Sequence, residues 1–337
     1  MTSASEMKFQ HYSFANFRSY CAGALEGALQ ELLDTTSIVP PLSEAVRQAV
    51  LSGGKRIRPI FALLVAADLG SDFESLIQPA VSLELLHAAS LIHDDLPALD
   101  DDDFRRGQPS CHKVFGEASA ILAGDLLISL ANYNIAQSGL PEWRPALVAS
   151  INRAFIDLCN GQQIDLIGTK NPKGLRALYR LKTGALFRCA AEFAAVSADV
   201  HDEVGEFLAA FGERLGLAFQ LADDFTDIFG TVLSRGRPES SDLRNKKETW
   251  CSHLSREDAL RELRQERDFL HSEVQELGRL IYSTSPKSSK AQIRTRNGAD
   301  SPTIELPGIE SIVNQVFGVF DLMKAKQANK LDQLTSR

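Results

Sequence analysis

The chain has little that would build a sheet, a disulfide framework, a membrane anchor or a nucleic-acid surface. No stretch of its 337 residues alternates apolar and polar positions in the way a half-buried strand does, so helices are left to form the core. The cysteines Cys21, Cys111, Cys159, Cys189 and Cys251 are odd in number and scattered without metal-type spacing, which excludes a disulfide scaffold and points to free thiols. The opening MTSASEMKFQHYSF lacks the basic-then-apolar order of a signal peptide, and no uninterrupted apolar run reaches membrane-span length, so the expected location is cytoplasmic. With 36 Lys and Arg against 44 Asp and Glu, the net charge of -8 leaves no broad basic face for phosphate backbones, and a nucleic-acid partner is excluded.

Helical periodicity is present almost throughout. Apolar residues recur every three or four positions in AGALEGALQELL, LSEAVRQAVL, SLIQPAVSLELLHAASLIHDD, EASAILAGDLLISLANYNIA and EVGEFLAAFGERLGLAFQLADDFTDIF, which predicts an all-α fold. EDALRELRQERDFLHSEVQELGRLI, between Ser255 and Tyr282, reads as a charged outer helix. Ser283 to Thr303 is rich in Ser, Pro and basic residues and is expected to be a flexible loop. A last helix around IESIVNQVFGVFDLMKAKQ follows it, too short to form a domain of its own.

Two aspartate clusters, Asp94-Asp95-Leu96-Pro97-Ala98-Leu99-Asp100 and Asp223-Asp224-Phe225-Thr226-Asp227, close apolar helical stretches. Carboxylates gathered beside apolar residues need hard cations to neutralise them, and Mg2+ is the usual one that also holds substrate phosphates. Pro97 should end its helix, leaving Asp94 on the last turn and Asp100 looping back towards it. On a helix Asp223 and Asp227 share a face, with Asp224 roughly 100° round. Asp101 to Asp103 read as a solvated helix end. Basic groups accompany the clusters in GGKRIRP (53–59), Arg105-Arg106-Gly107, Lys182-Thr183-Gly184 and Lys246-Lys247, and each can grip phosphate oxygens.

In order and spacing, GGKRIRP, ELLHAASLIHDDLPALDDDDFRRGQPSCHKVFGEASAILAGDLL, NGQQIDL, LKTGAL and GLAFQLADDFTDIFG resemble the motifs of the trans-isoprenyl diphosphate synthases, farnesyl and geranylgeranyl diphosphate synthases among them. The resemblance runs from Leu51 to about Asp258. It implies the isoprenoid-synthase helical bundle around a deep central cavity, one domain over 1–337, and a homodimer. It also implies Mg2+-dependent head-to-tail condensation of isopentenyl diphosphate with an allylic diphosphate.

By the same resemblance Asp94, Asp95, Asp100, Asp223 and Asp227 hold about three Mg2+, with Asp224 in support. Arg105, Lys182, Thr183, Gln220 and Lys247 meet the allylic diphosphate; Lys182, Thr183 and Gln220 are the catalytic candidates, and Gln163 lines the same region. Lys55, Arg58, His87 and Arg106 meet isopentenyl diphosphate. Ala89, five residues before the first motif, stands where short-chain farnesyl synthases commonly carry an aromatic, so the expected product is geranylgeranyl diphosphate, with farnesyl diphosphate second. Leu85, Leu86, Phe115 and Leu126 are candidates for a deeper floor.

Three departures stand out: Gln162 where a second glycine is usual, SSDLRNKKETW in place of a loop ending Gly-Lys-Ser-Thr-Tyr, and the 283–303 segment itself. The second leaves Asp242 and the choice between Lys246 and Lys247 open. A non-catalytic subunit of the same fold, a class I terpene cyclase and a plain acidic metal-binding protein are the rival readings. Intact aspartates oppose the first; GGKRIRP, His87 and Arg106 oppose the second; the apolar helices under both clusters oppose the third.

Overall fold

A computed structural model describes residues 14–138, 140–169, 171–229, 248–285 and 304–318. The described chain is a helical bundle: α1 Phe14–Thr35, α2 Leu42–Leu51, α3 Ile57–Asp68, α4 Phe73–Asp94, α5 Cys111–Phe115, α6 Glu117–Gln137, α7 Arg144–Ile167, α8 Pro172–Tyr179, α9 Ala185–Ser197, α10 Asp202–Phe229, α11 Arg256–Thr284 and α12 Pro307–Val316. The all-α expectation holds.

Each helix follows its apolar spacing. In α1 the buried residues Phe17, Cys21, Leu25, Leu29, Leu32 and Leu33 form one stripe. Nearly every residue of α3 from Ile57 to Ala66 is buried, the pattern of a helix enclosed on all faces. α4 is central and touches α1, α2, α3, α6, α7 and α9. Its buried Leu76, Val81, Leu83, Leu85, Leu86 and Ile92 each stabilise the fold by roughly 1.5–3 kcal/mol relative to exposure. The outer helix α11 buries only one stripe, and the Ser255 hydroxyl caps it by accepting the Asp258 N–H at 3.1 Å.

Two expectations need correction. Phe104–Arg105 and Gln108–Pro109 pair antiparallel in a minimal hairpin, too short to leave an alternation in the sequence. α11 runs through Ser283 to Thr284, so the first residues of the expected loop are helical; 286–303 and 319–337 lie outside the described residues. By length and composition α4 and α6 are each long and apolar enough to cross a membrane, but they pack against each other and into the bundle, with 67% and 44% of their most apolar windows buried.

Candidate active site

The first cluster sits where α4 stops. With Pro97 ahead of it, the chain turns so that Asp100 N–H donates to the Asp94 carbonyl at 2.8 Å and Asp102 N–H to the Asp95 carbonyl at 3.2 Å. Asp100 therefore loops back to Asp94, as its spacing requires. Burial pushes the Asp94 carboxyl up to about 6, with Lys182 pulling the other way and Asp100 adding to the rise. Asp95 points elsewhere. It is buried and takes the Arg105 guanidinium, with Nε at 3.0 Å, while Arg105 also lies 3.6 Å from Asp102.

In the second cluster Asp223 is exposed and Asp227 half-buried, whereas Asp224 is buried, as the helical angle between them demands. Asp224 accepts the Tyr179 hydroxyl and the Gln220 amide, the latter at 3.0 Å. The Tyr179 oxygen in turn accepts the Trp250 backbone N–H at 3.1 Å. Tyr179 was not legible as a site residue, because an aromatic late in an amphipathic helix reads as core.

A π-helical turn, Arg180–Gly184, joins the two clusters. Lys182 Nζ reaches Asp165 at 2.7 Å and Asp100 at 3.8 Å. The next residue, Thr183, donates to Gln220 at 2.9 Å, and Gln220 binds Asp224. Close approach makes this possible. A Cβ on Gly161 of α7 would lie 2.8 Å from the Lys182 nitrogen, and one on Gly216 of α10 would lie 2.6 Å from the Gly184 Cα.

Gly161 is thus the glycine the contact needs, and Gln162 is the side chain that follows it into the site, its amide 3.4 Å from Asp100. Gln163 is exposed. The expectation of Gln163 in the site and of Gln162 as a departure is off by one residue.

A cluster of cationic side chains lies beside the first aspartate cluster. Gly53 and Gly54 both take positive φ, at 86° and 137°, so the chain passes directly under Arg106, which donates to the Gly53 carbonyl. A Cβ on Gly54 would meet that guanidinium at 2.9 Å. Arg56 turns inward and is fully used by Glu26 at 2.7 Å, Glu84 at 2.6 Å and the Val50 carbonyl at 2.6 Å. Arg58 sits 5.3 Å from the Phe187 ring centroid with its buried Nε unpartnered, and burial lowers it to about 10. His87 is held neutral, well below the usual imidazole range, by burial first and then by Arg58, Arg106, Arg105 and Arg56. Lys55 is exposed at the rim.

Ala89 is fully buried on α4, as are Leu85 and Leu86 one turn below, and Phe115 and Leu126 are partly buried against the same core. Asp242, Lys246 and Lys247 lie outside the described residues.

Residues 39–280 match the polyprenyl synthetase family. The chain belongs to that family. Farnesyl diphosphate synthase of Escherichia coli K12 is 37% identical over 255 residues, covering 73% of this chain and 85% of the relative. Geranylgeranyl pyrophosphate synthase 3 of Arabidopsis thaliana, a chloroplast protein, is 35% identical over 254 residues, 71% of each chain. Among solved structures, an FPP/GFPP synthase from Zymomonas mobilis superposes with TM-score 0.71 at 28% identity, covering 90% of this chain and 98% of the other. A geranyltranstransferase from Thermotoga maritima superposes with TM-score 0.66 at 29% identity, covering 82% and 98%. The family match extends the motif-bearing region to Val39 and Leu280, taking in α2 and nearly all of α11.

Proposed function

We propose that this polyprenyl synthetase is a short-chain trans-prenyltransferase that joins isopentenyl diphosphate head to tail to an allylic diphosphate. The observation that carries the reading is the pairing of two unlike pockets: an all-oxygen acidic cluster threaded by Lys182, and the cationic pocket of Arg58, Arg106 and neutral His87. One suits a diphosphate that arrives with cations and the other a diphosphate that arrives without them.

The donor set fits Mg2+. Asp94 and Asp100 offer only carboxylate oxygens, and the burial that raises the Asp94 carboxyl is a cost that a bound cation would offset. Asp94, Asp100, Asp223 and Asp227 would hold about three ions, with Asp95 acting through Arg105. Bound Mg2+ supplies neutralisation of the leaving diphosphate as the allylic carbon–oxygen bond ionises.

This chain's own groups do the rest. Arg105, Lys182 and Lys247 bind the allylic diphosphate, while Thr183, Gln220 and Gln162 orient it. Lys55, Arg58, His87 and Arg106 hold isopentenyl diphosphate with its double bond towards the allylic carbon. The apolar walls around Ala89 keep water from the cation and admit the growing tail. The new carbon–carbon bond forms as diphosphate departs, and that diphosphate carries off the proton. The product reading is geranylgeranyl diphosphate, with farnesyl diphosphate second, because a methyl at 89 leaves depth where a ring would not.

Exposed Ile121, Leu122 and Tyr133 on α6 support a homodimer, and five free thiols, four of them buried, support a reducing, cytoplasmic location. A cyclase has no use for the Arg58–Arg106 pocket, and a non-catalytic subunit has none for two intact aspartate clusters.

The test is transfer of radiolabel from isopentenyl diphosphate into prenyl product. Asp94→Ala and Asp223→Ala are each expected to lose at least about a hundredfold in kcat with the fold intact, and chelation of Mg2+ to silence the wild type. Near-normal turnover in both variants would overturn the metal assignment.

A further inference from the structure

Asp101, Asp103 and His112 take no part in either pocket, yet the fold brings them together. One carboxylate oxygen from each aspartate and one ring nitrogen of His112 lie within 4.8 Å of one another. The aspartates leave the turn after α4, and His112 comes from α5, on the far side of the Phe104–Pro109 hairpin. The Ser110 N–H closes that connection on the Asp103 carbonyl at 2.9 Å.

His112 supplies the independent observation. It is 6% exposed, its Nδ1 faces the Ser110 hydroxyl at 3.1 Å, and its Nε2 is buried with no hydrogen-bond partner. A buried imidazole nitrogen left unmatched costs free energy unless something outside the protein meets it. A ring oriented by a hydroxyl on one nitrogen and open on the other is the arrangement metal-ligating histidines adopt.

We propose that Asp101, Asp103 and His112 form a separate site for a borderline divalent transition-metal ion such as Zn2+ or Co2+. One imidazole and two carboxylates suit such ions, whereas Mg2+ prefers oxygen throughout. The site shares no ligand with the Mg2+ cluster. Lys113 Nζ holds Asp103 Oδ1 at 2.7 Å, so an arriving cation displaces an ammonium, and Lys113 weakens the site. A metal here clasps the two ends of the hairpin that carries Arg105 and Arg106, which ties cation binding to the position of both guanidinium groups.

The experiment is Co2+ binding by equilibrium dialysis to the full chain in excess Mg2+, in a Cys159→Ser background that removes the one exposed thiol. About one equivalent is expected to bind, and equally so with Asp94→Asn added, which separates this site from the Mg2+ cluster. Asp101→Asn, on the surface, is expected to weaken binding at least about tenfold, His112→Gln to abolish it, and Lys113→Ala to tighten it. His112 is buried, so circular dichroism checks the fold of His112→Gln, and Asp101→Asn carries the test if that variant is unstable. The proposal fails if Co2+ does not bind in excess Mg2+. It fails equally if Asp101→Asn and Lys113→Ala leave the affinity unchanged, or if Asp94→Asn removes the bound equivalent.

Discussion

Removing one oxygen atom, in Tyr179→Phe, tests how the second aspartate cluster is held. The hydroxyl donates to the buried Asp224 carboxylate and accepts the Trp250 N–H. A hydrogen bond to a charged group contributes about 1.5–3 kcal/mol, and a buried amide left without its acceptor costs about 1 kcal/mol or more. The ring still fills its space, so no cavity term enters. The expected destabilisation is therefore about 2–4 kcal/mol. At roughly 0.7 kcal/mol/K of unfolding entropy for a chain of this length, that is a fall in Tm of about 3–6 °C. Denaturant unfolding of Tyr179→Phe, Asp224→Asn and the double variant gives the coupling between the two groups directly. Loss in kcat should accompany the coupling, since Asp223 is carried by the same turn of α10, while KM for isopentenyl diphosphate should not move. Additivity within about 0.5 kcal/mol would refute the reasoning and leave Asp224 held by its helix alone.

Arg58→Ala and His87→Ala should raise KM for isopentenyl diphosphate much more than that for the allylic substrate; equal effects in steady-state kinetics would dismiss the two-pocket reading. Ala89→Phe should shorten the main product by about one isoprene unit, at a stability cost of about 1–3 kcal/mol for overpacking a fully buried site, and chromatography of dephosphorylated products reads the result. A wild-type product that stops at fifteen carbons would place the floor elsewhere. Asp68 caps α12 by accepting the Gly308 and Ile309 N–H groups at 3.0 and 2.7 Å, yet burial pushes its carboxyl up to about 7. Because the folded value lies above the unfolded one, Asp68 favours folding at low pH, and that contribution is lost as pH rises towards 7. Asp68→Asn should therefore gain stability relative to wild type as pH rises from about 4 to about 7, and parallel denaturation curves across that range would contradict this.

Much of the fold was legible because helices bury stripes and stripes leave a period. The turn after α4 was legible too, since Pro97 cannot continue a helix and the Asp94–Asp100 closure follows from chain geometry. The π turn was not, because one widened turn inside an apolar run changes no residue type. Nor did composition separate the arginines of GGKRIRP. Arg56 is spent on Glu26 and Glu84 while Arg58 faces the pocket, a difference set by the left-handed backbone at Arg56, with φ of 46°. Gln162 and Gln163 are chemically identical neighbours in NGQQIDL, and nothing in that run tells which glycine or glutamine meets another element. Only the contact of Gly161 with Lys182 decides that.

That contact also limits how the enzyme can change. Lys182 serves one aspartate cluster and Thr183 the other from adjacent positions in a turn clamped between α7 and α10. A one-residue insertion or deletion there would not tune either pocket by degrees; it would throw both out of register in the same step. A single side chain on α4 or α6 can by contrast be exchanged without shifting the register of its neighbours. The 180–184 turn can only be kept or lost as a whole.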